Sequence, residues 1–120
     1  MANRNPNVFL DVGFWTEVTR IAGRRRGEYM ALMRDLLARN PNLPNQIMYG
    51  SDWSMIGRLK NHEYYLADVK RAFEELGLPL QAMMHDNAKR YLGLDREGKQ
   101  LDRLRRFFGP NHKFAELFGS

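Results

Sequence analysis

The hydrophobic pattern of the chain alternates between short apolar runs and longer amphipathic stretches. Apolar runs too short for a helix occupy residues 8–12 and 47–49, and each is followed at once by a glycine. Short runs of this kind are typical of strands buried in a parallel sheet. Elsewhere, apolar residues recur at the i, i+3, i+4 and i+7 spacing of amphipathic helices. The pattern predicts a helix-dominated α/β fold with two short parallel strands, each followed by helices.

The helical spacing also predicts where helices begin and which side chains they bury. Helices are predicted at residues 14–21, 28–39, 61–76 and 79–92. Thr16 is the predicted N-cap of the first helix and Asn61 of the third. The predicted buried positions of the last three are Tyr29, Leu32, Met33, Leu36 and Leu37; Tyr65, Val69, Ala72, Phe73 and Leu76; and Leu80, Met83, Met84, Ala88, Tyr91 and Leu92.

Residues 95–120 are predicted to form a helical tail with two apolar stripes. The stripes consist of Leu101, Leu104, Phe107 and Phe108, and of Phe114, Leu117 and Phe118. No repeat or linker divides the chain, so residues 1–120 are interpreted as one domain. Two parallel strands alone leave both edges of their sheet unpaired. We therefore expect a homo-oligomer held through the strand edges and the C-terminal tail.

Three segments carry the candidate chemistry. They are Asn5-Pro6-Asn7-Val8-Phe9-Leu10-Asp11, Ile47-Met48-Tyr49-Gly50-Ser51-Asp52-Trp53, and His85-Asp86-Asn87-Ala88-Lys89-Arg90-Tyr91-Leu92-Gly93-Leu94. In this order and spacing, residues 5–94 resemble the C-terminal end of the amidohydrolase-related, metal-dependent hydrolases. The resemblance implies the last quarter of a (β/α)8 barrel, with strands seven and eight and the closing helix. Ser54 departs from the family pattern, which usually has proline there.

The resemblance implies a role for particular residues. Asp52 matches the family aspartate that binds the metal, typically zinc, and takes a proton from the metal-bound water. Trp53 and Trp15 follow the two strand ends, where the family places aromatic residues around the substrate mouth. A complete barrel needs about 250 residues, whereas this chain has 120 and no His-x-His pair. The family's remaining metal ligands would have to come from other subunits.

The same residues also have simpler interpretations. An aspartate after a strand can cap the next turn, and Asp11 is interpreted as a turn former. His62 and His85 are the other candidate metal ligands, but no pair of histidines has the i, i+3 or i+4 spacing of a local site. Either tryptophan can instead pack in the core or in an interface. On these grounds no cofactor is expected, with a divalent metal such as zinc reserved for the enzyme alternative.

Composition limits the remaining function classes. Nineteen Lys and Arg against fourteen Asp and Glu give a net charge of +5, and Arg24, Arg25 and Arg26 form a basic cluster. No aromatic residues interleave with these arginines to stack bases, so a solvated loop is favoured and nucleic acid is an unlikely partner. The absence of cysteine excludes disulfides and thiolate metal sites. No apolar run reaches the roughly 20 residues that span a bilayer, so no membrane partner is expected and the cytoplasm is the expected compartment.

Three functions remain open from the sequence. The favoured one is a non-catalytic, self-associating module derived from the C-terminal end of an amidohydrolase-related hydrolase. The alternative is a metal-dependent hydrolase or decarboxylase that is active only when other subunits supply the missing barrel strands. A second alternative is a basic nucleic-acid-binding protein, supported by charge alone.

Overall fold

The computed structural model describes residues 5–95 and 98–109 of the chain. Its sheet has two parallel strands, β1 (Leu10–Asp11) and β2 (Ile47–Met48), with Leu10 beside Ile47. The helices are α1 (Arg26–Arg39), α2 (Trp53–Ile56), α3 (Tyr65–Glu75), α4 (Asn87–Tyr91) and α5 (Lys99–Phe108). Single turns of 3-10 helix lie at Thr16–Val18, Leu43–Asn45 and His62–Tyr64, and a π-helical turn lies at Ala82–Asp86. Two further 3-10 turns, separated by a kink at Gly23, make up Arg20–Arg25. The predicted helix-dominated α/β fold with two short parallel strands is confirmed.

The hydrophobic core is organised around α3. Tyr65, Val69, Ala72 and Phe73 are buried on one face of this helix, and Phe73 is 0% exposed. This confirms the stripe predicted for α3, because a 3.6-residue period places these positions on a single side. Met83, from the π-helical turn, is also 0% exposed and belongs to the same core.

The stripe predicted for α1 is wrong at two of its five positions. Leu32 is 64% exposed and Leu36 is also exposed, whereas the buried residue of the helix is Met30, which the stripe did not include. The helix packs mainly against the 3-10 segments Thr16–Val18 and Arg20–Arg25. The other three positions of the stripe, Tyr29, Met33 and Leu37, are half-buried, and Leu37 packs against the core.

The later helices bury fewer residues than the sequence predicts. Tyr91 and Leu92 are exposed at the end of α4. In α5, Leu101 is buried but Phe107 is 82% exposed. The second tail stripe, with Phe114, Leu117 and Phe118, lies outside the described residues.

Two predicted helix caps are wrong. Thr16 lies inside a 3-10 turn, and the capping side chain there is Thr19, whose hydroxyl accepts a hydrogen bond from the Ile21 N–H at 3.3 Å. Asn61 has a left-handed backbone and makes no side-chain cap, and α3 begins only at Tyr65, after a 3-10 turn.

The two edges of the sheet differ. On the side of β2 away from β1, the Asn87 side-chain amide donates to the carbonyl of Ile47 at 2.6 Å. The N–H of Tyr49 donates to the carbonyl of Met83 at 2.9 Å. Beside β1, by contrast, no further strand lies among the described residues. The outer edge of β2 is thus bonded to residues of the same chain, and association through the strand edges stays a prediction.

Replacement of Phe73 by alanine tests the position of the core. Phe73→Ala removes a fully buried ring, and we expect it to lower the free energy of unfolding by about 3–5 kcal/mol. The matched control is Leu32→Ala, at an exposed position predicted by the sequence to be buried, which should change stability by less than about 0.5 kcal/mol. Urea unfolding followed by circular dichroism measures both. A comparable loss for the two variants would contradict the observed orientation of α1.

Candidate functional site

Two aspartates lie together at the carboxyl edge of the sheet, where parallel strands of α/β proteins place their functional groups. Asp11 ends β1 and Asp52 follows β2. A Cβ atom built at Gly13 would lie 3.1 Å from Oδ1 of Asp11 and 3.9 Å from Cβ of Asp52. Both residues are exposed. The fold thus brings together two aspartates that are 41 positions apart in the chain.

Glycine at position 50 makes this arrangement possible. A Cβ atom there would overlap the carboxylate of Asp11, so only glycine leaves the carboxylate room to reach across the end of β2. Oδ1 of Asp11 also accepts the N–H of Gly13 at 2.5 Å, which closes a short side-chain turn. This hydrogen bond supports the turn-forming role predicted for Asp11.

Asp52 has a left-handed backbone, with φ 46° and ψ 55°. Aspartate tolerates this conformation better than most residues. Its carbonyl accepts the N–H groups of Met55 and Ile56, which starts α2, but its carboxylate makes no helix-capping hydrogen bond. The carboxylate instead accepts the hydroxyl of Ser54 at 3.2 Å. The side chain thus lies on the exposed edge of the sheet.

The candidate histidines lie on exposed surface with local partners. Nδ1 of His62 is 3.1 Å from the carbonyl of Leu59. Nδ1 of His85 is 2.7 Å from Asp86, and this hydrogen bond lowers the pKa of the Asp86 carboxyl. Across residues 5–95 and 98–109, no group of three or more His, Asp or Glu side chains converges to hold a metal ion. His112 lies outside this range.

The two candidate tryptophans have different environments. Trp15 is partly buried, and its ring packs against Phe73 with the centroids 5.8 Å apart. Its backbone N–H donates to the Tyr65 hydroxyl at 2.7 Å. It therefore supports the core. Trp53 is 80% exposed at the start of α2, directly after Asp52. Trp53 is thus an aromatic side chain available at the carboxyl edge.

Two tyrosines near this edge were not among the sequence candidates. Burial raises the pKa of Tyr49, and it is also the main cause of the raised pKa of Tyr65. The negative charges of Glu17 and Asp11 act on Tyr65 in the same direction. Both phenols therefore remain protonated at neutral pH. The sequence signal that could have identified Tyr65 was its place in the predicted buried stripe, because a buried tyrosine hydroxyl usually requires a hydrogen-bond partner.

The three arginines of the basic cluster at residues 24–26 have different environments. Arg26 starts α1 and pairs with Glu75 through two hydrogen bonds, of 2.9 and 3.1 Å, while its Nε donates to the carbonyl of Val18. Arg25 stacks over the ring of Tyr29 at 5.7 Å, and Arg24 is exposed. The prediction of a loop is wrong, because helical turns continue through these residues into α1.

A cleft of about 420 Å³ separates the arginine-bearing N-terminal segment from α3. It is lined by Arg20, Arg26, Asp68, Arg71 and Glu75. The guanidinium of Arg20 donates twice to the carboxylate of Asp68, at 2.8 and 2.9 Å, and its backbone N–H donates once more at 2.9 Å. These hydrogen bonds lower the pKa of Asp68, whose side chain is only 7% exposed. No pattern in the sequence indicates this pair, because its members are 48 positions apart.

Comparison of the chain with protein-family models, with curated proteins and with solved structures found no match. Within the described part of the chain, no helix is both long and apolar enough to cross a membrane.

The pair formed by Arg20 and Asp68 predicts a pH-dependent stability. Because the pKa of Asp68 is lower in the folded state than in the unfolded state, its ionised form stabilises the fold. That stabilisation is present above the unfolded pKa of about 3.9 and disappears as the pH falls through the folded value. Asp68→Asn should therefore lower the melting temperature near neutral pH, and its difference from the wild type should shrink below about pH 4.

Asp102→Asn is the matched control, because Asp102 is exposed and its nearest contact with Arg105 is 3.8 Å. We expect no measurable change for this variant. Thermal melts at several pH values test both. A deficit of Asp68→Asn that stays constant down to pH 2 would contradict the electrostatic origin.

Proposed function

We propose that the chain is a non-catalytic, self-associating module derived from the C-terminal end of an amidohydrolase-related hydrolase, and that it associates through β1. The observation that carries the proposal is the difference between the sheet edges. The N–H groups of Leu10 and Val12 donate to the carbonyls of Gln46 and Met48, at 2.8 and 3.1 Å. The backbone groups of Asp11 therefore face the opposite edge. An edge strand of this kind is a template for pairing with another chain.

A two-fold axis gives the simplest assembly. Two copies of β1 related by such an axis run antiparallel and join the two sheets into one of four strands, a closed arrangement in which each copy presents the same surface. A specific interface usually buries about 1,200–2,000 Å², more than short strands offer. The exposed apolar residues of α1 and α5, including Leu32, Leu36 and Phe107, are candidates for the remaining contact area.

The second candidate function is a metal-dependent hydrolase or decarboxylase completed by other subunits. The observation that favours it is the meeting of Asp11 and Asp52 at the carboxyl edge, with Trp53 exposed beside them. We rank it second for two reasons. Two carboxylates supply fewer ligands than a zinc site requires. In a closed barrel, moreover, the outer edge of β2 would pair with a further strand, whereas here Met83 and Asn87 occupy it. Nucleic-acid binding ranks third, because Arg26 is already paired with Glu75.

Proline at position 11 tests the association through β1. Asp11→Pro removes the outward-facing N–H but leaves the hydrogen bonds between β1 and β2, which use Leu10 and Val12. We expect analytical ultracentrifugation to give twice the chain mass of 14.1 kDa for the wild type and a single chain for Asp11→Pro.

Asp11→Ala is the control, because it loses the same carboxylate but keeps the N–H, and it should remain a dimer. Circular dichroism establishes that all three proteins are folded. A monomeric wild type, or a dimeric Asp11→Pro, contradicts association through β1.

Metal content separates the two leading candidates. The non-catalytic proposal predicts far less than one zinc, iron or manganese per purified chain, because Asp11 and Asp52 do not form a complete ligand set. Elemental analysis by mass spectrometry tests this. About one metal per chain, lost in Asp52→Ala but retained in His62→Ala, would support the hydrolase instead.

A further inference from the structure

The outer edge of β2 is occupied by groups that imitate a neighbouring strand. The carbonyl of Ile47 and the N–H of Tyr49 point away from β1, because Gln46 and Met48 make the hydrogen bonds to β1. A further strand would bond to these same two groups. Here the Ile47 carbonyl accepts the Asn87 amide at 2.6 Å, and the Tyr49 N–H donates to the Met83 carbonyl at 2.9 Å. One acceptor and one donor of the edge are thus satisfied from within the chain.

The helical segment that supplies these groups is unusual in its backbone. Met83 lies in the π-helical turn Ala82–Asp86, and Asn87 directly follows that turn. Turns of this type inside helices are rare and are frequent at functional sites. Here the turn brings a backbone carbonyl and a side-chain amide to the same strand edge.

Asn87 is held in place on all sides. It is 1% exposed, and its Nδ2 also donates to the carbonyl of Pro44 at 2.9 Å. Its Oδ1 accepts the Nη2 of Arg90 at 2.9 Å. Because both ends of the amide are bonded, its orientation toward Ile47 is fixed.

We infer that residues 83–87 are an edge cap that closes β2 to partner strands and thereby limits the assembly to two copies. The inference rests on the proposed association through β1 and adds the feature that limits the number of associating copies. A chain with two available edges could pair without end, giving an open assembly, whereas a chain with a single edge closes as a dimer. The partner is a second copy of this chain, and the cap determines how many copies join.

Asn87→Asp tests the cap. The substitution is nearly isosteric but replaces the amide donor by a carboxylate, which repels the carbonyls of Ile47 and Pro44. We expect the mass in sedimentation to exceed that of a dimer and to rise with concentration. Asn40→Asp is the matched control, because the Asn40 amide likewise donates to a backbone carbonyl, that of Leu36, but away from the sheet. This control should remain a dimer.

The double variant Asp11→Pro with Asn87→Asp identifies the edge in use. With β1 blocked and β2 opened, it should return to two copies, joined through β2.

If the wild type is a dimer and Asn87→Asp is a folded dimer as well, the edge cap is refuted while the proposed function stands. If the wild type is a monomer, the proposed function fails. In that case, dimerisation of Asn87→Asp would still support the cap, and a monomeric variant would refute it.

Amide hydrogen exchange on the wild type gives a test that needs no variant to fold. The Tyr49 N–H should be equally protected at all protein concentrations, because its partner is in the same chain. The Asp11 N–H should gain protection only as the dimer forms. Loss of Tyr49 protection on dilution would show that its partner belongs to another copy, and would overturn the inference.

Discussion

The hydrogen bonds of a single buried amide join the main parts of this fold. Asn87 ties the closing helical segment to β2 through Ile47 and to the preceding turn through Pro44. Loss of a buried polar partner costs about 1–3 kcal/mol, a large part of the stability of a small domain. On the other side of β2, the Gln46 amide bonds to the carbonyls of Asn5 and Val8 and fixes the approach to β1. Two amides thus position a sheet that is too short to support itself.

Charge provides the second set of long-range connections. Arg20 and Arg26 reach from the N-terminal segment to Asp68 and Glu75 on α3, each through a pair of hydrogen bonds. The planar guanidinium matches the carboxylate in this geometry, which makes these contacts stronger and more directional than single ion pairs. The positive charges of Arg20 and Arg26 are thus paired with carboxylates of α3.

The carboxyl edge of the sheet connects the fold with its proposed origin. Asp11, Gly50 and Asp52 meet there as they would at the functional end of a larger α/β sheet, with Asp11 occupying the space that glycine leaves. Yet the helical segment that follows α3 turns back onto β2 and closes the edge on which a further strand would pair. For this reason we rank association above catalysis in the proposed function.

The sequence by itself determined the elements whose periodicity coincides with their burial. The α3 stripe of Tyr65, Val69 and Phe73 and the two strand positions followed directly from their spacing. Only the tertiary structure decided that Met30 rather than Leu32 faces the core, because that depends on which neighbours lie beside α1. It also decided the partners of Asn87 and Asp68. Ile47 lies 40 positions from Asn87, and Arg20 lies 48 positions from Asp68. Sequence periodicity does not identify the hydrogen-bond partner of a polar side chain. Contacts between distant segments are therefore seen only in the folded structure.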